Sequence, residues 1–171
     1  SERRINLLLS GNGGRLPRFL ASDPGLESGL MIVQYLAAGL VTENKSKAFP
    51  AAVDSVPTSD GQEDHVSMGS VGAVKLAGVL ERAETVVGLE MLTAVRALQF
   101  ITRGDLAART GRAPLRLSDP LAALVDVVAG LSSPDPADRS LTEDVERLSA
   151  WVRLGDLPEA AAAGLIFLEI D

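Results

Sequence analysis

The chain has 171 residues, enough for one domain of ordinary size, and its 46% apolar and 23% charged residues are normal for a globular protein. Its 23 acidic residues outnumber the 16 basic ones, and the net charge of -7 argues against a nucleic-acid partner, because phosphate binding needs clustered cations. There is no cysteine and only one histidine, which excludes disulfide and thiolate chemistry and argues against a zinc site, so no metal is expected.

The beginning of the chain carries no targeting pattern. SERRINLLLSGNGG has a short apolar run without the architecture of a signal peptide, and no 18 uninterrupted apolar residues occur anywhere, so we expect no membrane span. A cytoplasmic protein is the default expectation. SERRINLLL is typical of the middle of a helix, which favours a chain that is one piece of a longer one.

The first third of the chain predicts two helices. Apolar residues at helical spacing predict a helix over residues 1–9, which the glycines of SGNGG end. Ser28 is the predicted cap of a helix over 29–46. Apolar residues surround nearly the whole circumference of this second helix, which indicates burial on several sides in a bundle or an oligomer. Tyr35 is expected to be a core or interface residue.

A much longer helix is predicted over residues 63–102, which corresponds to about 60 Å at the rise of an α-helix. Its 86–101 portion is apolar almost all round, and a monomer could not cover a rod of this length, so we infer burial against helices of other chains. Glycines weaken a helix, and we expect these to be present because they allow two helix backbones to approach closely. The glycines in question are Gly69, Gly72, Gly78 and Gly88.

The last third predicts short helices joined by turns. A basic linker over 103–117 precedes a helix over 120–131, with Asp119 as its cap and Pro120 in its first turn. Ser140-Leu141-Thr142-Glu143 has the pattern of a capping box opening a helix that stops at Gly155, and Pro158 is expected to start a last short helix. Nowhere do apolar and polar residues alternate, as in a β-strand, for more than a few residues.

The predicted fold class is therefore all-α, a long-helix bundle with a small helical C-terminal region. Residues 1–102 are expected to form the long-helix part, and residues 103–171 the C-terminal region of the same domain.

The candidate site lies between the second helix and the long one, where Gln62-Glu63-Asp64-His65 forms a polar cluster at the predicted helix start. In the simpler interpretation, Glu63 and Asp64 complement the positive end of the helix dipole. In the functional one, the helix fixes a carboxylate at a site wall, where it meets a substrate amine or accepts a proton. His65 stays ambiguous, because a histidine in such a place is usually partly solvated.

The run SGLMIVQYLAAGLVTENKSKAFPAAVDSVPTSDGQEDHVSMG closely resembles the C-terminal half of the histidine ammonia-lyases. These enzymes belong to the aromatic amino acid lyases, which use a methylidene-imidazolone (MIO) electrophile. SERRINLLL and VVGLEMLTAVRALQF are similar to flanking helices of that family, and the strong likeness covers about residues 22–101. The most specific part is QEDHVSM with ENK about twenty residues before it.

The resemblance implies an all-helical fold with very long helices packed into a tetramer, and non-oxidative removal of ammonia from an aromatic amino acid, giving urocanate from histidine. Glu63 matches the family's active-site glutamate, a catalytic and substrate-binding residue that engages the amine or side chain of the substrate and assists proton transfer. Gln62 matches the substrate-binding glutamine beside it. Gln-Glu rather than Gln-Asp favours histidine over phenylalanine or tyrosine, with aminomutases an open alternative. Asn44, Lys45 and His65 receive no role.

The family forms its electrophile from Ala-Ser-Gly, and this triplet is absent from the chain. The resemblance therefore implies that the chain, inactive alone, needs an N-terminal portion carrying the MIO group, either as the rest of one polypeptide or as a second chain. The alternative from a different class is a helical assembly subunit that performs no chemistry.

Overall fold

The computed structural model describes residues 1–102, 111, 113–133, 137–156 and 158–159. Within these ranges the chain forms five α-helices and no β-strand, which confirms the all-α prediction. The helices are α1 (Glu2–Leu9), α2 (Met31–Lys47), α3 (Gly69–Thr102), α4 (Asp119–Leu131) and α5 (Thr142–Leu154). Most of the predicted 103–117 linker, and the helix expected after Pro158, lie outside the described residues.

Helices α2 and α3 run antiparallel. Near the end of α2 the Asn44 side chain donates a hydrogen bond to the carbonyl oxygen of Val79 at 3.2 Å, while Leu30, just before α2, shares a cavity of about 40 Å³ with Leu92. The residues that join the two helices therefore lie at one end of the pair, beside the first turns of α3.

The core is assembled around the second half of α3. One connected cluster of buried apolar residues takes members from every helix, among them Ile5, Leu9, Leu89, Val128 and Leu148. Because α4 and α5 contribute to the same cluster as α1, the C-terminal region packs onto the long-helix part through shared apolar contacts.

Of the four glycines assigned to close helix approach, Gly88 best fits that role. A Cβ atom at Gly88 would lie 3.3 Å from backbone atoms of Leu148 and Ser149, so the missing side chain lets α5 lie directly against α3. The ion pair between Arg153 and Glu84, at 2.8 Å, joins the same two helices further along. At Gly78 the nearest atom belongs to an arginine of the same helix.

The long helix begins later than predicted, at residue 69 rather than 63, and is about 51 Å long rather than about 60 Å. Residues 62–65 therefore precede α3, and the helix dipole cannot explain the acidic pair at 63 and 64. Val71, Val74 and Leu80, in the first third of α3, are exposed on this chain. Burial of this part of the rod by other chains stays a prediction.

Helix α3 is the one helix among the described residues that is long and apolar enough to cross a membrane. It contains no run of 18 uninterrupted apolar residues, because charged side chains such as Glu90 and Arg96 interrupt it. Core helices of soluble proteins have a similar length and mean hydropathy, and 39% of the most apolar stretch of α3 is buried within the chain.

Helix α2 is less enclosed than its composition indicates. Val33 and Ala37 are buried, but Ile32 is 61% exposed and Tyr35 69% exposed. Within this chain Tyr35 is therefore not a core residue, and its place at an interface stays a prediction. The predicted cap is also wrong, because Leu30 occupies the N-cap position and no side chain caps the helix.

The two C-terminal helices have nearly their predicted bounds but different caps. Ser118, rather than Asp119, precedes α4. The capping box is wrong, because the residue before α5 is Leu141 and no side chain caps the helix. The predicted stop is confirmed, since Gly155 adopts the left-handed conformation with φ 66° and its N–H bonds the last turn of α5.

The start of α2 is fixed by a tight backbone crossing. Gly29 has φ +55°, Leu30 N–H donates to the carbonyl oxygen of Phe19 at 2.8 Å, and a Cβ atom at Gly29 would lie 2.5 Å from that oxygen. Phe19 and Leu20 themselves have φ of 54° and 52°, which is uncommon for residues other than glycine.

We expect Gly29→Ala to destabilise the chain by about 1–2 kcal/mol from the left-handed backbone alone, with the clash against Phe19 adding to this. Urea unfolding measures the change. Gly39→Ala is the matched control, because nothing lies within 4 Å of a Cβ atom at this helical position and alanine favours a helix. A Gly29→Ala chain as stable as the unaltered one would contradict the crossing.

Candidate active-site loop

The predicted site residues lie on the segment of residues 48–68 that joins α2 to α3, called the site loop below. Two pairs of contacts close it. Val66 N–H donates to the Ser55 hydroxyl oxygen at 2.8 Å, and that hydroxyl donates to the Val66 carbonyl oxygen at 3.2 Å. Closer to the tip, Thr58 N–H donates to the carbonyl oxygen of Glu63 at 2.9 Å, and Glu63 N–H to that of Thr58 at 3.3 Å. The loop thus folds back on itself like a short hairpin.

The tip of the site loop is a tight turn through Ser59, Asp60 and Gly61. Their φ angles are 56°, 56° and 82°, so three successive residues lie in the left-handed region. Glycine adopts this conformation without strain and aspartate tolerates it better than most residues, but serine there is uncommon. Such strained positions cluster at functional sites.

The Glu63 carboxylate is held by two hydroxyl groups from the same turn. Thr58 Oγ1 donates to Glu63 Oε2 at 2.6 Å, and Ser59 Oγ donates to the same oxygen at 3.0 Å. The Thr58 hydroxyl, followed by the Ser59 hydroxyl, lowers the pKa of Glu63 below its usual value. The side chain is therefore an anion at neutral pH and stays ionised further into the acid range than an ordinary glutamate.

Gln62, Asp64 and His65 share the exposed surface of the loop with Glu63. Gln62 N–H donates to the carbonyl oxygen of Ser59 at 3.1 Å, which fixes the backbone beside the glutamate. Both predicted substrate-binding residues, Gln62 and Glu63, are thus exposed on the site loop, at one end of the α2–α3 pair.

The C-terminal end of α2 supports this loop. Besides the Asn44 bond to Val79, Glu43 forms an ion pair with Arg82, and the Lys75 ammonium donates to the Phe49 carbonyl oxygen. Asn44, which had no role in the sequence analysis, therefore joins α2 to α3. Its Oδ1 is buried and has no hydrogen-bond partner among the described residues. Lys45 is exposed.

Sequence reasoning missed Thr58 and Ser59. Both belong to the run PTSDG, whose composition indicates a turn and nothing more specific. The available signal was spacing, since two hydroxyl residues precede the glutamate by five and four positions across a turn ending in glycine.

Comparisons with known proteins place the chain in one family. The family model for aromatic amino acid lyases matches residues 1–128. A relative from Symbiobacterium thermophilum named histidine ammonia-lyase is 44% identical over 163 residues, covering 95% of this chain and 30% of the relative. One of the same name from a Geobacillus species is 37% identical over 92% of this chain and 29% of its own length. The chain thus spans less than a third of either protein.

Solved structures agree with this assignment. The crystal structure of histidine ammonia-lyase from Trypanosoma cruzi superposes with a TM-score of 0.81 at 36% identity, covering 95% of this chain and 30% of that one. Tyrosine aminomutase from Streptomyces globisporus gives a TM-score of 0.79 at 32% identity over 95% of this chain and 29% of its own. With the family model matching most of the sequence, the chain belongs to the aromatic amino acid lyase family.

Proposed function

We propose that the chain is the C-terminal part of a histidine ammonia-lyase-like enzyme, which eliminates ammonia from L-histidine and releases urocanate without redox chemistry. The observation that carries the proposal is the ionised Glu63 carboxylate, held by the site loop inside the QEDHVSM motif. The 44% identity to a relative named histidine ammonia-lyase, against 32% to a structure named tyrosine aminomutase, supports histidine as the substrate.

In this proposal Glu63 binds the cationic ammonium group of the amino acid and orients it, and Gln62 lines the same wall. The carboxylate is open to water on this chain. Covering it with another part of the enzyme would remove water and strengthen its attraction for a cation, because charges interact more strongly where the dielectric constant is low. The complete site therefore needs protein that is not among the described residues.

The electrophile, too, requires protein that is not part of this chain. The MIO group of this family supplies the electron sink that turns the amine into a leaving group, and no Ala-Ser-Gly exists here to form it. The residues of this chain therefore cannot form the MIO group. We propose that an N-terminal portion, in the same polypeptide or in a second one, supplies it in the cytoplasm, and that the isolated chain is inactive.

Exposed apolar side chains support such a partner. They occur on the first third of α3, on α2 and on the site loop, and are Val71, Val74, Leu76, Leu80, Ile32, Tyr35, Phe49, Val53 and Val56. Exposed apolar patches of this kind commonly mark protein–protein contacts. We propose a tetramer of chain pairs, in which these surfaces are covered.

Co-expression tests the proposal. We expect residues 1–171 together with an N-terminal portion carrying Ala-Ser-Gly to form urocanate from histidine, followed by its absorbance. The same pair with that serine replaced by alanine is the matched control and should be inactive. A stable assembly that contains Ala-Ser-Gly and forms no urocanate would contradict the proposal and favour the non-catalytic assembly subunit.

An aminomutase is the second candidate, because structures named tyrosine aminomutase superpose almost as well as the histidine ammonia-lyase. Chromatography of the products separates the two reactions. A lyase releases ammonia and an unsaturated acid, whereas an aminomutase returns a β-amino acid. Turnover of tyrosine to β-tyrosine, with no urocanate from histidine, would replace the first proposal by the second.

A further inference from the structure

Only one of the two carboxylate oxygens of Glu63, Oε2, accepts hydrogen bonds from the site loop. Both hydroxyls, from Thr58 at 2.6 Å and Ser59 at 3.0 Å, donate to Oε2. No side-chain or backbone donor among the described residues bonds Oε1. One oxygen is thus saturated by the protein itself, and the other is left for a ligand.

The backbone of the turn makes this arrangement possible. The bridge between Thr58 and Glu63 places the two residues opposite each other, and the left-handed conformation of Ser59, φ 56°, folds its hydroxyl toward the same carboxylate. A glutamate side chain on a surface loop would otherwise sample several rotamers. Two hydroxyl donors on one oxygen restrict it to a single direction.

We propose that Thr58 and Ser59 are positioning residues, which hold Glu63 through Oε2 so that Oε1 presents a fixed negative charge to the ammonium group of the amino acid substrate. This inference rests on the proposed function, because it concerns how the same glutamate acts. Hydrogen bonds to an ionised carboxylate are short and strong, which suits a carboxylate kept as an anion throughout turnover.

The arrangement also limits what Glu63 does in the reaction. A general base works best when its pKa lies near the operating pH. The two hydroxyls favour the ionised form and lower the pKa of Glu63, which makes it a weak proton acceptor at neutral pH. The geometry therefore favours a role for Glu63 in binding and orienting the amine.

Removal of one hydroxyl at a time tests the proposal in the assembled enzyme. Thr58→Val keeps the shape of the side chain without its donor, Thr58→Ser keeps the donor, and Ser59→Ala removes the second one. Thr85→Val is the matched control, since the Thr85 hydroxyl bonds only the Glu81 carbonyl oxygen of its own helix. Each variant is measured for kcat and KM with histidine across pH.

We expect Thr58→Val to raise KM by about 10-fold while changing kcat less, because a mobile carboxylate binds the ammonium group less well. The acid limb of kcat/KM should move to higher pH, because loss of the donor raises the pKa of Glu63 toward its usual value. The imidazole of the substrate titrates identically in every variant, so the difference belongs to the enzyme. Ser59→Ala should act in the same direction, and Thr58→Ser should restore KM.

Three results would overturn the proposal. An unchanged KM and acid limb in Thr58→Val would show that the hydroxyl does not position Glu63. Equal impairment of Thr58→Ser would show that the loss comes from packing rather than from the donor. Equal impairment of Thr85→Val would mean that the loss is not specific to the site loop.

A second measurement does not require turnover. Carbodiimide coupling consumes the protonated carboxyl group, so labelling of Glu63 against pH, read by mass spectrometry, reports its ionisation, and labelling of Asp64 in the same peptide serves as the reference for access. We expect the pH at which Glu63 is half labelled to be higher in Thr58→Val than in the unaltered chain. A shifted midpoint in an assembly that forms no urocanate supports the positioning by Thr58 and refutes the proposed lyase activity. An unshifted midpoint in an active assembly refutes the positioning alone.

Discussion

Glu63→Ala is expected to lower kcat/KM for histidine in the assembled enzyme by roughly 30- to 4,000-fold, because removing one partner of a desolvated charge pair costs about 2–5 kcal/mol. The alanine leaves the cationic amine of the substrate without its fixed anion. Steady-state urocanate formation measures the loss. Because Glu63 is exposed on the free chain, we expect the Tm of the isolated chain to change little.

Glu63→Gln is the sharper companion variant. Its amide oxygen still accepts hydrogen bonds from the Thr58 and Ser59 hydroxyls, so the turn is retained while the charge is lost. We expect it to be nearly as impaired as Glu63→Ala. Wild-type activity in either variant would refute the role assigned to Glu63, and wild-type activity in Glu63→Gln alone would mean that shape matters rather than charge.

Leu148→Ala is expected to destabilise the chain by about 2–5 kcal/mol, the range for a fully buried leucine whose removal leaves a cavity. Leu148 is 0% exposed and lies where α5 crosses α3 at Gly88. Leu154→Ala, on the same helix but 78% exposed, is the control and should change the free energy of unfolding by no more than about 0.5 kcal/mol.

The urea titration that measures the effect of Leu148→Ala also tests whether residues 1–102 and the C-terminal region form one domain. Trp151 is the only tryptophan and lies on α5, so its fluorescence follows that helix, while far-UV circular dichroism follows all the helices, with α3 as the longest contributor among the described ones. Because both regions contribute to one core, we expect the two signals to change together. Separate transitions, or a negligible effect of Leu148→Ala, would contradict a shared core.

Helix existence could be predicted from local pattern, but the starts of α2 and α3 could not. Ser28 is of a residue type that commonly caps helices, but α2 begins three residues later. The backbone N–H groups of Ser28 and Gly29 instead donate to the carboxylate of Asp138, each at 2.8 Å. This contact joins residues 110 and 109 positions apart, so no local reading of the sequence contains it.

The start of α3 was misjudged for a different reason. Acidic residues before an apolar run indicate a first helical turn, and Glu63 and Asp64 fit that pattern. The backbone instead pairs Glu63 with Thr58 and turns through the left-handed residues between them. The identity of Glu63 and Gln62 as site candidates came from family resemblance, whereas the hydroxyls that hold Glu63 required coordinates.

The contacts of the site loop have one further consequence. The Thr58–Glu63 and Ser55–Val66 pairs join residues only five and eleven positions apart. Segments of about ten residues close in roughly 10–100 ns, far faster than two polypeptides can find each other at cellular concentrations. The local contacts of this stretch therefore close faster than the remaining protein docks, which leaves docking less of the loop to order.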